Sequence, residues 1–175
     1  MIYMQDEIIN KVAQSSLITI DLEDWQDKTP QIIYDFKQNL FQELILKEKD
    51  FREFLKNHDW SIYKDKNIAI ICSADAIVPT WAYMLLAVYL ENVANYFVFG
   101  TQEDLEKSLF QRKLATIDLN EYVGKKIVIK GCSDNPIPTY VYVELTRLLR
   151  PHVASLMFGE PCSTVPLYKK VINKM

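Results

Sequence analysis

Three cysteines, Cys72, Cys132 and Cys162, are the residues of this 175-residue chain best equipped for chemistry. Two of them open the same dipeptide, Cys72-Ser73 and Cys132-Ser133, at the end of a predicted strand. A thiol that follows a strand and precedes a helix N-terminus meets free N–H groups and the positive end of the helix dipole, and both favour the thiolate. Carboxylates come from the same three loops: Asp75, Asp134 and Glu160. Three sulfurs with a supporting carboxylate suit a soft transition metal such as zinc or iron. Ser73, Asp75, Thr80, Ser133, Asp134, Thr139, Glu160 and Ser163 would line the surrounding pocket. The spacings between cysteines, 60 and then 30 residues, match no zinc-ribbon or ferredoxin pattern. A second reading makes Cys72 or Cys132 a nucleophile activated by its helix. A third leaves all three thiols structural, because free cysteine often fills a small apolar space. The serines, Asp75 and Asp134 would then build turns or cap helices, as Thr80 and Thr139 would at the two Pro-Thr helix starts.

The elements that must position these residues are duplicated. Against a shift of 59 positions, Leu46, Phe51, Leu55, Asp59, Tyr63, Lys66, Ile68 and Ile70 meet Leu105, Phe110, Leu114, Asp118, Tyr122, Lys125, Ile127 and Ile129. After a one-residue slip that pairs Cys72-Ser73 with Cys132-Ser133, the register returns at Pro79-Thr80 and Pro138-Thr139. It continues through Tyr83/Tyr142, Leu86/Leu145, Leu90/Leu149 and Phe99-Gly100/Phe158-Gly159. Pro-Thr, Phe-Gly and Cys-Ser are not generic core residues, so the match is a tandem repeat over residues 46–100 and 105–159. Each copy predicts a helix (Lys49 to His58; Glu103 to Lys113), a β-branched strand (Asn67 to Ile71; Lys126 to Lys130), a helix entered through Pro-Thr (Trp81 to Glu91; Tyr140 to Arg150) and a closing strand (Tyr96 to Phe99; Ser155 to Phe158).

Strand–helix–strand with helices of this length implies parallel pairing. The expected fold is a single α/β domain over residues 1–175, a three-layer sandwich on a largely parallel sheet. Before the repeat, Ile8, Ile9, Val12 and Ala13 fit a short amphipathic helix. Leu17 to Leu22 alternates as a strand, and Gln31 to Phe36 would pair with it as a hairpin across the turn from Asp27 to Pro30. Leu167 to Met175 reads as an extension that packs on a neighbour or frays. With the first strands of the two copies side by side, Cys72 and Cys132 would face each other where ligands bind in such sheets, outside the carboxyl ends of the strands.

Composition narrows the functional classes. The chain is 49% hydrophobic and 12% aromatic with a net charge of −3, a folded composition without the basic footprint of a nucleic-acid or anionic-membrane partner. It has no run long enough to span a bilayer and no secretory pattern at its start, so reduced thiols in a cytoplasm are expected. Four glycines leave no phosphate-cradling loop. His58 reads as a solvated helix end, and His152, opposite Val93 in the repeat, as a structural residue. Trp25, Trp60 and Trp81 are core by default, and Tyr83, Tyr89, Tyr140 and Tyr142 pack on the sheet or wall a pocket.

Three segments carry a family resemblance: Leu44 to Arg52 (LILKEKDFR), Cys72 to Tyr83 (CSADAIVPTWAY) and Phe158 to Tyr168 (FGEPCSTVPLY). Over nearly the whole chain they resemble a bacterial family known as domain of unknown function 2480. The resemblance implies no reaction and no catalytic residues. It does imply an association with iron–sulfur cluster assembly, and hence a partner from that machinery. A homodimer through the apolar helices is a further expected partner. Three hypotheses therefore stand: a metal-binding protein using Cys72, Cys132 and Cys162; a thiol enzyme; and an interaction module without chemistry.

Overall fold

The computed structural model describes residues 17–130, 136–160 and 163–171. In chain order they form β1 (Leu17–Ile20), β2 (Gln31–Asp35), α1 (Glu48–Asn57), β3 (Asn67–Ile71), α2 (Thr80–Leu90), β4 (Tyr96–Phe99), α3 (Gln102–Ala115), β5 (Lys126–Ile129), α4 (Thr139–Leu149), β6 (Ser155–Glu160) and β7 (Ser163–Lys169). This is the expected α/β class, with mainly parallel strands. They are divided between two sheets, ordered β1-β5-β6-β7 and β2-β3-β4, and only the β6–β7 pair is antiparallel. The chain correspondingly separates into two compact units, Asp27–Phe110 and the combination of Met1–Gln26 with Gln111–Met175.

The repeat is visible as matching geometry. Helices α2 and α4 both run eleven residues from the Pro-Thr pair. Each copy places a 3-10 turn before its first strand, Trp60–Tyr63 and Leu119–Tyr122. Asp59 and Asp118 cap these turns, accepting the amides of Ser61 and Asn120 at 3.0 and 2.9 Å. Pro79 and Pro138 stand at the N-caps of α2 and α4, and neither cap makes a side-chain bond. Thr80 and Thr139 are exposed first helical residues rather than the caps expected of them. Proline's missing N–H and fixed φ already suit a helix entrance, so a hydroxyl cap is dispensable there.

The predicted hairpin does not form. β1 pairs in parallel with β5 and β2 in parallel with β3, in separate sheets. After β1, Asp21 caps a 3-10 turn (Leu22–Trp25) and redirects the chain, where a hairpin needs a tight two- to five-residue loop. After β2, Asp35 does the same for the turn Phe36–Asn39. Nor are the first strands of the two copies neighbours, since β3 lies between β2 and β4 while β5 lies between β1 and β6. Of the C-terminal segment read as an extension, Leu167–Lys169 is the end of β7, which folds back on β6 after Gly159. Gly159 has φ +124°, and a Cβ there would lie 2.5 Å from the Ser163 carbonyl, so only glycine permits this return. Pro166 is tolerated because β7 is an edge strand.

Unit Asp27–Phe110 has three layers. Tyr34, Ile68 and Ile70 of the sheet pack with Phe51 and Leu55 of α1 and Ala82, Leu86 and Leu90 of α2. On the opposite face Ala69 meets Leu105 and Leu109 of α3. The buried residues of the other unit include Ile20, Leu22, Ile127, Ile129, Val141, Leu145, Leu149 and Leu156. The short helix expected around Ile8 to Ala13 lies outside the described residues.

Candidate functional site

The carboxyl ends of the parallel strands carry a similar arrangement in both units, built on two aspartates, Asp35 and Asp21, that sequence reasoning did not single out. In unit Asp27–Phe110, Asp35 ends β2 beside the end of β3. One carboxylate oxygen of Asp35 accepts the backbone N–H of Ser73 at 3.0 Å and that of Lys37 at 2.9 Å. The other accepts the Ser73 hydroxyl in a short bond. Burial works to raise the Asp35 pKa. The hydrogen bonds from Ser73 and Lys37 and the charge of Lys37 outweigh it and hold the carboxyl below its usual value. Asp35 thus clamps the turn that carries Cys72.

Cys72 is a free, half-buried thiol whose Sγ lies 3.6 Å from the Ala74 carbonyl oxygen. Tyr83, from the first turn of α2, stands close by. Burial, and then the charge Cys72 carries as a thiolate, push its phenol pKa up. The Tyr83 ring meets Phe36 at 4.5 Å and Phe99 at 5.1 Å, both edge-on. Phe99 ends β4 and is 72% exposed, an apolar wall open to solvent. Asp75 is exposed in the same loop as Cys72 and Ser73, and Thr80 is exposed where that loop enters α2.

The second unit repeats part of this arrangement among the described residues and then departs. Asp21 directly follows β1, where Asp35 closes β2, and accepts the Glu23 amide at 3.0 Å. Its second oxygen meets the Lys130 ammonium at 2.6 Å, beyond the end of β5. The Lys130 hydrogen bond is the main reason the Asp21 carboxyl is held low, with burial opposing it and the Glu23 amide and Lys130 charge adding to it. Lys130 is raised in turn, first by that bond and then by the Asp21 charge, with smaller contributions from Glu160 and Glu23. Tyr142 and Phe158 repeat the Tyr83–Phe99 contact at 5.7 Å. Glu160 ends β6 opposite Ser163 of β7, with Oε1 buried and without a hydrogen-bond partner. Ser163 is exposed.

Among the predicted site residues, then, Cys72, Ser73 and Asp75 share one loop, and Glu160 and Ser163 are paired strand neighbours. Cys132, Ser133, Asp134 and Cys162 lie outside the described residues. Among the described residues no group of three or more His, Cys, Asp or Glu side chains is arranged to hold a metal ion. His58, read as solvated, is a correction: its ring packs against Phe54 at 4.7 Å and Trp60 at 4.9 Å, and Nε2 is buried without a partner. The missed residues Asp21 and Asp35 had a signal. Leu17-Ile-Thr-Ile-Asp-Leu22 and Gln31-Ile-Ile-Tyr-Asp-Phe36 are the same pattern 14 positions apart, an apolar run closed by aspartate and a large apolar residue.

These features define an α/β protein made of two related parallel-stranded units, each with an aspartate fastening the loop or residue that follows its central strand. The family model described as protein of unknown function (DUF2480) matches residues 6–170, and the chain belongs to that family. No curated protein and no solved structure matches it. No helix among the described residues is long and apolar enough to cross a membrane.

Proposed function

We propose that this protein is a binding module that works through thiols at the carboxyl ends of its parallel strands, and that the ligand they suit is a soft transition-metal ion, zinc or iron. Cys72 is the described thiol, and Cys132 and Cys162 are the further thiols expected to bind metal. The observation that carries this reading is the Asp35–Ser73 clamp. It holds an unpaired thiol at a strand end, where parallel α/β sheets take their ligands. Thiolate is the strongest soft ligand a protein offers to such ions. The reading fits a cytoplasmic role beside iron–sulfur chemistry, with an assembly protein or a second copy of the chain as partner and no nucleic acid.

Metal analysis of protein purified without oxygen tests it. Bound zinc or iron that falls in Cys72→Ser, and in Cys132→Ser or Cys162→Ser, is the expected result. Metal-free protein that takes up neither ion on titration overturns it. The closeness of Tyr83 to Cys72 favours one second reading, a thiol nucleophile with a phenol beside it. Alkylation of Cys72 in metal-free protein ahead of the other thiols is its signature.

A further inference from the structure

We propose that unit Asp27–Phe110 carries another binding site, for a neutral, planar ligand whose edge offers both a hydrogen-bond donor and an acceptor, such as a carboxamide or a nucleobase-like heterocycle. The site is a cavity of about 300 Å³ lined by Gln31, Ile32, Ile33, Ala69, Gln102 and Leu105. Its size is at the lower end of ligand pockets, right for a single ring system.

One small residue lines the cavity at the centre of the sheet. Ala69 sits fully buried in the middle of β3, where the matching position of β5 holds the equally buried Val128. A valine side chain at position 69 would extend into the cavity that Ala69 lines. The floor is aliphatic, which favours the face of a flat ring. The polar atoms come from two primary amides, and Gln102 Nε2 donates to Gln31 Oε1 across 3.4 Å, a long bond that a ligand edge readily replaces. Each amide offers a carbonyl acceptor and two N–H donors, the complement of another amide or of a heterocycle edge.

None of the six lining side chains ionises, so an anion or cation entering here would lose its hydration without a counter-charge. A third amide stands next to the pocket. Strand alternation puts Asn67 on the sheet face of Ala69, and its register partner is Gln31. Asn67 is the one buried polar residue among those described. Its Oδ1 accepts from Asn95 at 2.7 Å, while its Nδ2 has no partner. A buried amide N–H left unpaired is costly, and a ligand carbonyl would satisfy it.

Ligand-observed NMR on the full chain tests the proposal with nicotinamide and uracil as neutral probes and nicotinate as the anionic match of the first. The neutral probes are expected to bind with Kd on the order of 1 mM, within the range such small ligands reach, and nicotinate at least about tenfold more weakly. Ala69→Val, which installs the residue of β5, abolishes binding. Gln102→Ala, at an exposed helix start that leaves the fold intact, weakens it severalfold and decides the matter if the valine variant does not fold. Silence from both neutral probes up to about 10 mM, equal binding of nicotinate, or wild-type binding by the Gln102→Ala variant overturns the proposal.

Discussion

Unit Asp27–Phe110 is filled with rings where its counterpart is filled with branched aliphatics. Tyr34 and Phe36 stand where the other unit has Ile20 and Leu22, and all four are buried. In the first unit the rings make a continuous series: Phe36 touches Tyr34, Phe51 and Tyr83, and Tyr34 touches Tyr63, which touches Trp60. Yet the strand registers, the Asp-capped turns and the Tyr–Phe contact at the strand ends agree between the units. The backbone is therefore set by strand pairing, caps and turn residues. The filling of the core is exchangeable provided volume and patterning are kept.

The comparison can be broken most forcefully in the cores. Phe36→Ala is expected to cost about 4 kcal/mol and Leu22→Ala about 3 kcal/mol, because a lost ring leaves the larger cavity. Trp25 belongs to one unit and Trp60 and Trp81 to the other, so urea unfolding followed by fluorescence in Trp25→Phe and in Trp60→Phe/Trp81→Phe backgrounds reads each loss separately. A smaller loss for Phe36→Ala than for Leu22→Ala would show that the rings are loosely packed.

Next in size is the clamp. Asp35→Ala removes two hydrogen bonds to Ser73 and one to Lys37, worth about 1–2 kcal/mol together. It should also speed the alkylation of Cys72 by loosening its turn. An unchanged alkylation rate would mean that Asp35 holds the strand end without governing the thiol.

The two units then part with pH. Asp35 and Asp21 are both held below the usual carboxylate value, so each contributes stability that is present above the ordinary Asp pKa of about 3.9 and lost as pH falls below it. Lys130 is raised, so its contribution persists through neutral pH and is lost only as pH rises past the ordinary Lys value of about 10.4. Asp35→Asn should flatten the acid limb read by Trp60 and Trp81 and leave the alkaline limb of the other unit in place. The smallest effect is expected for Lys130→Met. Its ion pair is partly exposed, so the loss should be slight at low ionic strength and vanish near 1 M salt, where the Debye length is about 3 Å.

Much of this architecture was legible in the chain. Both Pro-Thr helices and the strands Asn67–Ile71 and Tyr96–Phe99 follow from periodicity and turn residues, which act locally. What escaped was long-range. Alternation in Leu17 to Ile20 marks a strand but does not choose its partner, and a hairpin is the nearest choice. β7 hid because its return depends on Gly159 rather than on apolar alternation, and because Pro166 argues against a strand. At the site, Cys72 and Ser73 were found by type and repetition. Asp35 was not, because its role appears only once β2 lies beside β3.

One consequence of the strand pairing concerns how the molecule is made. Asp35 and Ser73 are separated by 38 residues, whereas Asp21 and Lys130 are separated by 109. As the polypeptide leaves the ribosome, Asp27–Phe110 can close on itself while β1, already synthesised, waits without a partner until β5 emerges. β1 is thus translated before every other described strand and is among the last of them to be paired. An open edge of that kind is a foothold for chaperones and a liability for aggregation during every round of synthesis.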